Sequence, residues 1–333
     1  IHSWAPFFYN PDQLTNGEVE IKPGVTILSQ NLTGSSILTA GYGYDSTHLV
    51  HISYQYFGLF PVISYSIDLS ESTPLRYIKK TKAPIINEKR KESTVSFYVP
   101  LNLSSNRFTT LLYPIIQLIS SNDYYLSVRD SLYHKGFHRF NYRLYFSVLQ
   151  KQAIKDLRPR LGLVANIEME NAPFNKNNFG SITAGTFNLY LPGISVNHSI
   201  LVMANLQNQK LKRYYYSNKI ITPRGYSEFY SESFESISLE YLFPLAYPDF
   251  SIGTLAYIKR FSVNSFFDYG KLSYPTLQGN QTVKMRSFGF ELFTDFNLFR
   301  TRYPIRLKLQ QGWAGSNLLP FNSFSIFVDF YGQ

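Results

Sequence analysis

The chain has 333 residues, of which 17% are aromatic (27 Tyr and 28 Phe) and only 16% charged, a composition poor in charge for a surface that faces water on all sides. No stretch approaches the roughly 18 consecutive apolar residues that a membrane helix needs, and mean hydropathy is -0.16, so spanning helices are excluded. The absence of cysteine excludes a disulfide scaffold and a thiolate metal site, and the net charge of +10 is not gathered into the aromatic-interleaved basic motif that would make nucleic acid a partner.

A polar average with many rings suits a transmembrane barrel, because lipid-facing and lumen-facing residues alternate and cancel in any window. A soluble all-β protein would fit the composition as well. Period-two alternation recurs along the whole chain and predicts strands near residues 1–10, 22–30, 34–44, 46–57, 60–70, 92–103, 106–128, 138–150, 158–170, 178–192, 194–206, 230–244, 258–270, 284–299, 303–314 and 319–331. The later ones read most clearly. Ile237, Leu239, Tyr241 and Phe243 oppose Ser236, Ser238 and Glu240; Phe261, Val263 and Phe267 oppose Ser262, Asn264 and Asp268. Phe288, Phe290 and Leu292 alternate with Gly289 and Glu291, Ile305, Leu307 and Leu309 with Arg306, Lys308 and Gln310, and Phe324, Ile326, Val328 and Phe330 with Ser323, Ser325 and Asp329.

The connections separate a barrel from a sandwich. Turns at 31–34, 103–106, 192–193 and 300–304 are mostly short and fall at one end, while the long segments 71–91, 207–229 and 271–283 fall at the other. Short periplasmic turns and long outside loops, with an even count of about sixteen strands, predict an all-β transmembrane antiparallel barrel with both termini in the periplasm. Residues 151–157 and 245–257 are long for periplasmic turns, and the connection at 45–46 is short for an outside loop. A single barrel domain is expected over 1–333. Its start at Ile1, with neither Met nor a signal-peptide pattern, suggests a processed or excised piece whose upstream periplasmic domain lies outside this sequence. Lys79, Lys80, Lys82, Lys89, Arg90 and Lys91 read as a solvated outside loop that could meet lipopolysaccharide phosphates beside the membrane lipid.

Motifs for catalysis are missing: there is no nucleophile elbow, Walker loop, zincin helix or EF-hand loop, so neither an enzyme nor a cofactor is expected. His134 and His138 have metal-like spacing but are predicted in an outside loop without a third ligand, and His48 and His51 fall on opposite faces of one strand, so no metal is expected. Asn-x-Ser/Thr matches at Asn31, Asn102, Asn197 and Asn280 carry no weight in an envelope protein.

One segment is more specific. Thr222, Pro223, Arg224, Gly225 and Tyr226 lie in the long loop before the twelfth predicted strand. On spacing alone Arg224-Gly225 is an ordinary surface turn. With its surroundings it resembles the Arg-Gly-Phe/Tyr motif of the sixth extracellular loop in the BamA/TamA/FhaC-type outer-membrane assembly and secretion superfamily, a loop that folds back into the lumen. Residues 238–244 resemble that family's twelfth strand and residues 266–270 its thirteenth. Before Thr222 the likeness is architectural only. Pro223 departs from the usual Val or Ile, and the chain ends in Gly332 and Gln333 where the family has a terminal aromatic.

The resemblance implies that Glu240 and Asp268 hold Arg224 inside the barrel. The physics agrees, since one arginine shared between two inward carboxylates can pin a loop, and Gly225 lets the backbone turn tightly at the wall. The resemblance further implies a Gram-negative outer-membrane protein that assembles or translocates substrate polypeptides through a lateral seam, alongside periplasmic or lipoprotein accessory subunits. Pro6 removes a backbone donor from the first predicted strand and so weakens the seam, which would run between it and the strand carrying Phe330. In antiparallel closure Ser3 would lie near Asp329 and Phe7 nearer Ser325. The alternatives are a passive channel or an anchor for a periplasmic or enzymatic domain, and the residues upstream of Ile1 would discriminate them.

Overall fold

The computed structural model describes residues 2–10, 18–45, 47–70, 89–126, 133–153, 155–173, 179–212, 214, 216–227, 231–276, 279–298 and 305–329. Every regular element among them is a strand: β1 (His2–Ala5), β2 (Glu18–Glu20), β3 (Gly24–Gln30), β4 (Ser36–Asp45), β5 (Thr47–Tyr56), β6 (Val62–Ser70), β7 (Arg90–Tyr98), β8 (Leu101–Asn102), β9 (Phe108–Leu126), β10 (Tyr133–Gln150), β11 (Gly162–Asn171), β12 (Gly180–Pro192), β13 (Ser199–Leu211), β14 (Ser233–Ala246), β15 (Phe250–Ile252), β16 (Ala256–Thr276), β17 (Gly279–Leu298), β18 (Ile305–Ala314) and β19 (Leu319–Asp329).

From β3 to β19 these strands form one antiparallel meander. β8 is a continuation of β7, pairing with β9 in the same register beyond Pro100. β15 likewise resumes the line of β14 against β16 after a bulge between Pro244 and Ala246. The meander therefore has about fifteen staves, and β1, antiparallel to β3, brings the count to the even number that single-chain bacterial barrels have. The architecture is the antiparallel transmembrane barrel that the alternation predicts.

The two faces of the wall differ as lipid and lumen require. On β17, Ser287, Glu291, Phe293 and Asp295 are buried, while their neighbours Phe288, Phe290 and Leu292 point outward and are 40%, 55% and 38% exposed. Rows of outward aromatic and aliphatic side chains recur on β14, β16 and β18 at Ile237, Leu239, Phe267 and Leu309. Such a surface is stable only against hydrocarbon.

Three predicted features are corrected. Segment 271–283 is not a long loop, because β16 and β17 stay in register from Lys271↔Lys284 to Thr276↔Gly279. The inward positions Leu272 and Met285 remain buried against Phe234, whereas outward Lys271 and Lys284 are charged, so the apolar stripe that marks a membrane strand fades before the strand itself ends. For a similar reason His134 and His138, read as loop residues, lie on β10 and pair with Tyr125 and Ser120 of β9.

The third correction concerns the seam. Ser3 pairs with Leu28 of β3, and Asp329 pairs with Glu18 of β2. The contact of β19 with the N-terminal region is the short ladder Glu18↔Asp329, Val19↔Val328 and Glu20↔Phe327, extended by the Ile21 N–H donating to the Ile326 carbonyl at 2.9 Å. Residues 2–8 instead line β3. Their ladder stops at Ala5 because Pro6 has no N–H to donate, and the chain bends there. Contact resumes where the Thr26 hydroxyl donates to the Phe7 carbonyl at 3.0 Å and accepts from the Tyr9 N–H at 3.1 Å, with Phe8 bridging Lys22. Pro6 is exposed beside this bend, and Phe330 lies outside the described residues.

Candidate functional site

The described residues of the connection between β13 and β14, within 212–232, fold back into the lumen and are fastened at successive points. Tyr214 and Tyr216 are buried with Phe137, Phe179 and Ile182. The Tyr214 hydroxyl donates to Asp123 Oδ2 at 2.8 Å, and that of Tyr216 to the Gly180 carbonyl at 3.2 Å. Lys219 Nζ then lies 2.8 Å from Glu168 Oε1 and 2.5 Å from Glu170 Oε2, both on β11. Burial works to lower the pKa of this ammonium, but Glu170 and Glu168 outweigh it and hold it above its ordinary value. Ile220 follows, buried among Ala184, Phe234, Leu272 and Met285.

Arg224 is the most heavily bonded of these anchors. Alternation turns Glu240 of β14, Asp268 of β16 and Glu291 of β17 inward, and all three are buried. Register then sets Glu240 beside Phe266, Asp268 beside Ser238, and Glu291 beside Asn264, so three carboxylates from three successive staves surround one ring. The Arg224 guanidinium lies over that ring with Cζ 4.4 Å from its centroid. It donates through Nη2 to Glu240 Oε1, through Nη1 to Asp268 Oδ1 at 2.9 Å, and lies with Nε 3.2 Å from Glu291 Oε1. The backbone N–H of Arg224 also donates to Asp268 Oδ2 at 3.1 Å. Burial alone would lower the arginine's pKa; Glu240, Glu291 and Asp268 raise it beyond its usual value, so the cation persists.

The next two residues seat the turn. Gly225 has φ +84°, and a Cβ there would come within 2.6 Å of the Phe321 ring and 2.9 Å of Ala314 Cβ. The Tyr226 hydroxyl accepts from the Arg286 N–H at 3.0 Å and donates to the Arg286 carbonyl at 3.1 Å. The structure thus brings Arg224 to both Glu240 and Asp268 and places Gly225 and Tyr226 against the wall.

Three members of the cluster are not tied to Arg224 by the sequence. Glu291 is there only an inward position on an alternating strand and Phe266 only the first residue of the 266–270 likeness, and register brings both to Arg224. Arg158 is the third, with Nη2 2.6 Å from Glu240 Oε2. It comes from residues 151–161 between β10 and β11: the alternation places Arg158 at the start of a strand over 158–170, but β11 begins only at Gly162, so Arg158 belongs to the connection and not to the wall.

The other candidate residues stand apart. His51 is buried and bonded through Nδ1 to Asp68 Oδ1 at 2.8 Å, while His48 on the same strand meets the Tyr42 hydroxyl at 2.5 Å. Among the described residues no group of three His, Cys, Asp or Glu side chains could hold a metal ion. Of the basic cluster, Lys79, Lys80 and Lys82 lie outside the described residues. Arg90 and Lys91 belong to β7 rather than to a loop, and Arg90 is paired with Glu92 and Asp123. Charge-assisted hydrogen bonding that fastens a loop is the chemistry this arrangement supplies.

No protein-family model matches this sequence, and no curated protein does. Solved structures do. The chain is similar to BamA from Haemophilus ducreyi lacking POTRA domains 1-3, with a TM-score of 0.56 and 14% identity over 98% of this chain and 69% of that one. It is similar also to CdiB from Escherichia coli (TM-score 0.55, 11% identity, 98% of this chain and 62% of that one) and CdiB from Acinetobacter baumannii (0.51, 13%, 98% and 59%). The chain therefore spans about six tenths of the length of the CdiB chains. In fold it is an outer-membrane β-barrel of the type formed by BamA and CdiB.

Proposed function

We propose that this barrel serves protein assembly or polypeptide secretion at the bacterial outer membrane, with loop 212–232 acting as a lumenal element fastened by Arg224. The observation that carries the reading is the arginine itself, bonded to carboxylates on β14, β16 and β17 from a loop whose motif resembles that of the assembly and secretion superfamily. Likeness of fold to BamA and CdiB supports the same class of role. Substrate polypeptides are the corresponding partners, with membrane lipid against the apolar outer wall.

A filled lumen weighs against a simple diffusion channel, since loop 212–232 and connection 151–161 both enter it. Depletion in the native host decides between the readings. An assembly or secretion role predicts that other outer-membrane barrels, or a secreted polypeptide, disappear from quantitative envelope and medium proteomes, and that Arg224→Ala fails to restore them. Altered small-solute uptake with an unchanged proteome would favour the passive channel.

A further inference from the structure

The connection between β10 and β11 is built into the lumen as firmly as the loop opposite it. Leu157 is buried against Leu242 of β14 and Phe293 of β17. The carbonyl of Asp156 accepts from Arg260 Nη1 at 3.2 Å, its carboxylate accepts from the Ala153 N–H at 2.8 Å and from Arg160 Nε at 3.1 Å, and the Lys155 carbonyl accepts from the Tyr247 hydroxyl at 3.1 Å. At the tip, Arg158 reaches Glu240.

Glu240 has two carboxylate oxygens, and arginines from opposite mouths of the barrel divide them. Oε2 accepts from Arg158 and Oε1 from Arg224. Three carboxylates, Glu240, Asp268 and Glu291, share this space with those two guanidiniums and with Lys308, whose Nζ lies 4.0 Å from Glu291. Withdrawing Arg158 leaves the three carboxylates with Arg224 and the more distant Lys308 as their cations, and frees the Glu240 side chain from the orientation in which it grips Arg224.

We propose that connection 151–161 is a second lumenal plug and that it is coupled through Glu240 to loop 212–232, so that displacing it from the periplasmic mouth loosens the loop at the outer mouth. This rests on the reading of Arg224 as the loop's anchor. Coupling of this kind is reciprocal, and releasing the loop equally loosens the connection. The two mouths then unlock together, as a barrel that admits a polypeptide from one side and passes it toward the other requires.

The test uses the full chain in proteoliposomes, with Thr222→Cys as the sole thiol and its labelling rate by a membrane-impermeant maleimide as the readout, scored on the fast-migrating unboiled species so that misfolded protein is left out. Arg158→Gln should raise labelling about fivefold, Gln152→Ala at an exposed position of the same connection should leave it unchanged, and Arg158→Gln should add nothing in a Glu240→Gln background. Faster labelling with Arg224→Ala but not with Arg158→Gln overturns the coupling and leaves the anchor standing. An Arg158→Gln effect of full size without Glu240 overturns the proposed route. Unchanged labelling with Arg224→Ala removes the anchor and the coupling together.

Discussion

Asp268 holds Arg224 twice, taking a hydrogen bond from guanidinium Nη1 at 2.9 Å on one oxygen and from the backbone N–H at 3.1 Å on the other. The aspartate thereby fixes both the side chain and the path of the loop backbone that carries it. Ser238 and Ser287 hydroxyls donate to the same carboxylate and keep it facing the loop.

Removing either partner should accordingly release the loop without dissolving the barrel. Arg224→Ala leaves Glu240, Asp268 and Glu291 without their shared cation, at about 3 kcal/mol, the low end for a buried pair because the arginine keeps some contact with solvent. Proteolysis of residues 212–232 in the intact membrane should accelerate, while the unboiled protein still migrates as a folded barrel. Arg224→Lys should restore protection only in part, since an ammonium cannot reproduce the planar fork that serves three carboxylates. Full protection in the lysine variant would contradict the geometry.

Gly225 tests the seat of the turn separately from its charge. Alanine there costs about 1–2 kcal/mol for the left-handed backbone and drives its Cβ into Phe321 and Ala314. Gly225→Ala should expose the loop to protease nearly as much as loss of the arginine. Pairing it with Phe321→Ala should recover only part of the protection, because the space is relieved and the φ of +84° is not.

The cysteine-free chain makes register directly measurable. Cysteines at Ser273 and Thr282, paired across β16 and β17, should join spontaneously, as strand partners lie within the roughly 7 Å that a disulfide spans. At the seam, Val19 with Val328 and Ser3 with Leu28 should crosslink, and Ser3 with Asp329 should not. Efficient coupling of that last pair would restore closure through the first ten residues.

Adjacent residues on β17 should respond oppositely to charge. Phe290 faces outward, so Phe290→Arg should destabilise the folded barrel in lipid by about 2–4 kcal/mol if it sits near the bilayer midplane. Glu291→Gln, on the inner face, should leave the urea midpoint closer to that of the parent and act chiefly on loop protection. Equal loss of stability from both would mean that the assigned faces are wrong.

The strand positions and the direction of each side chain were legible because alternation is a local property, written into every few residues by whether lipid or lumen will face them. Phe290 and Glu291, or Leu239 and Glu240, could be sorted without knowing their neighbours. Legibility failed where that chemical contrast weakens, as at Lys271 and Lys284, where a strand continues beyond the hydrocarbon and its outward face turns polar. It failed again at the N-terminus, where alternation cannot say which edge a strand will choose and Pro6 breaks the ladder.

By itself, the sequence determined an antiparallel barrel of about sixteen strands with polar inner and apolar outer faces, and it marked Arg224, Glu240 and Asp268 through a short motif and two inward positions. Only the tertiary structure decided that Glu291 and Phe266 complete the arginine's surroundings, that Arg158 shares Glu240, and that β19 meets residues 18–21. Those contacts join segments far apart in the chain, and they depend on strand register and on how two connections enter a common lumen. A local pattern of hydrophobicity carries no information about either.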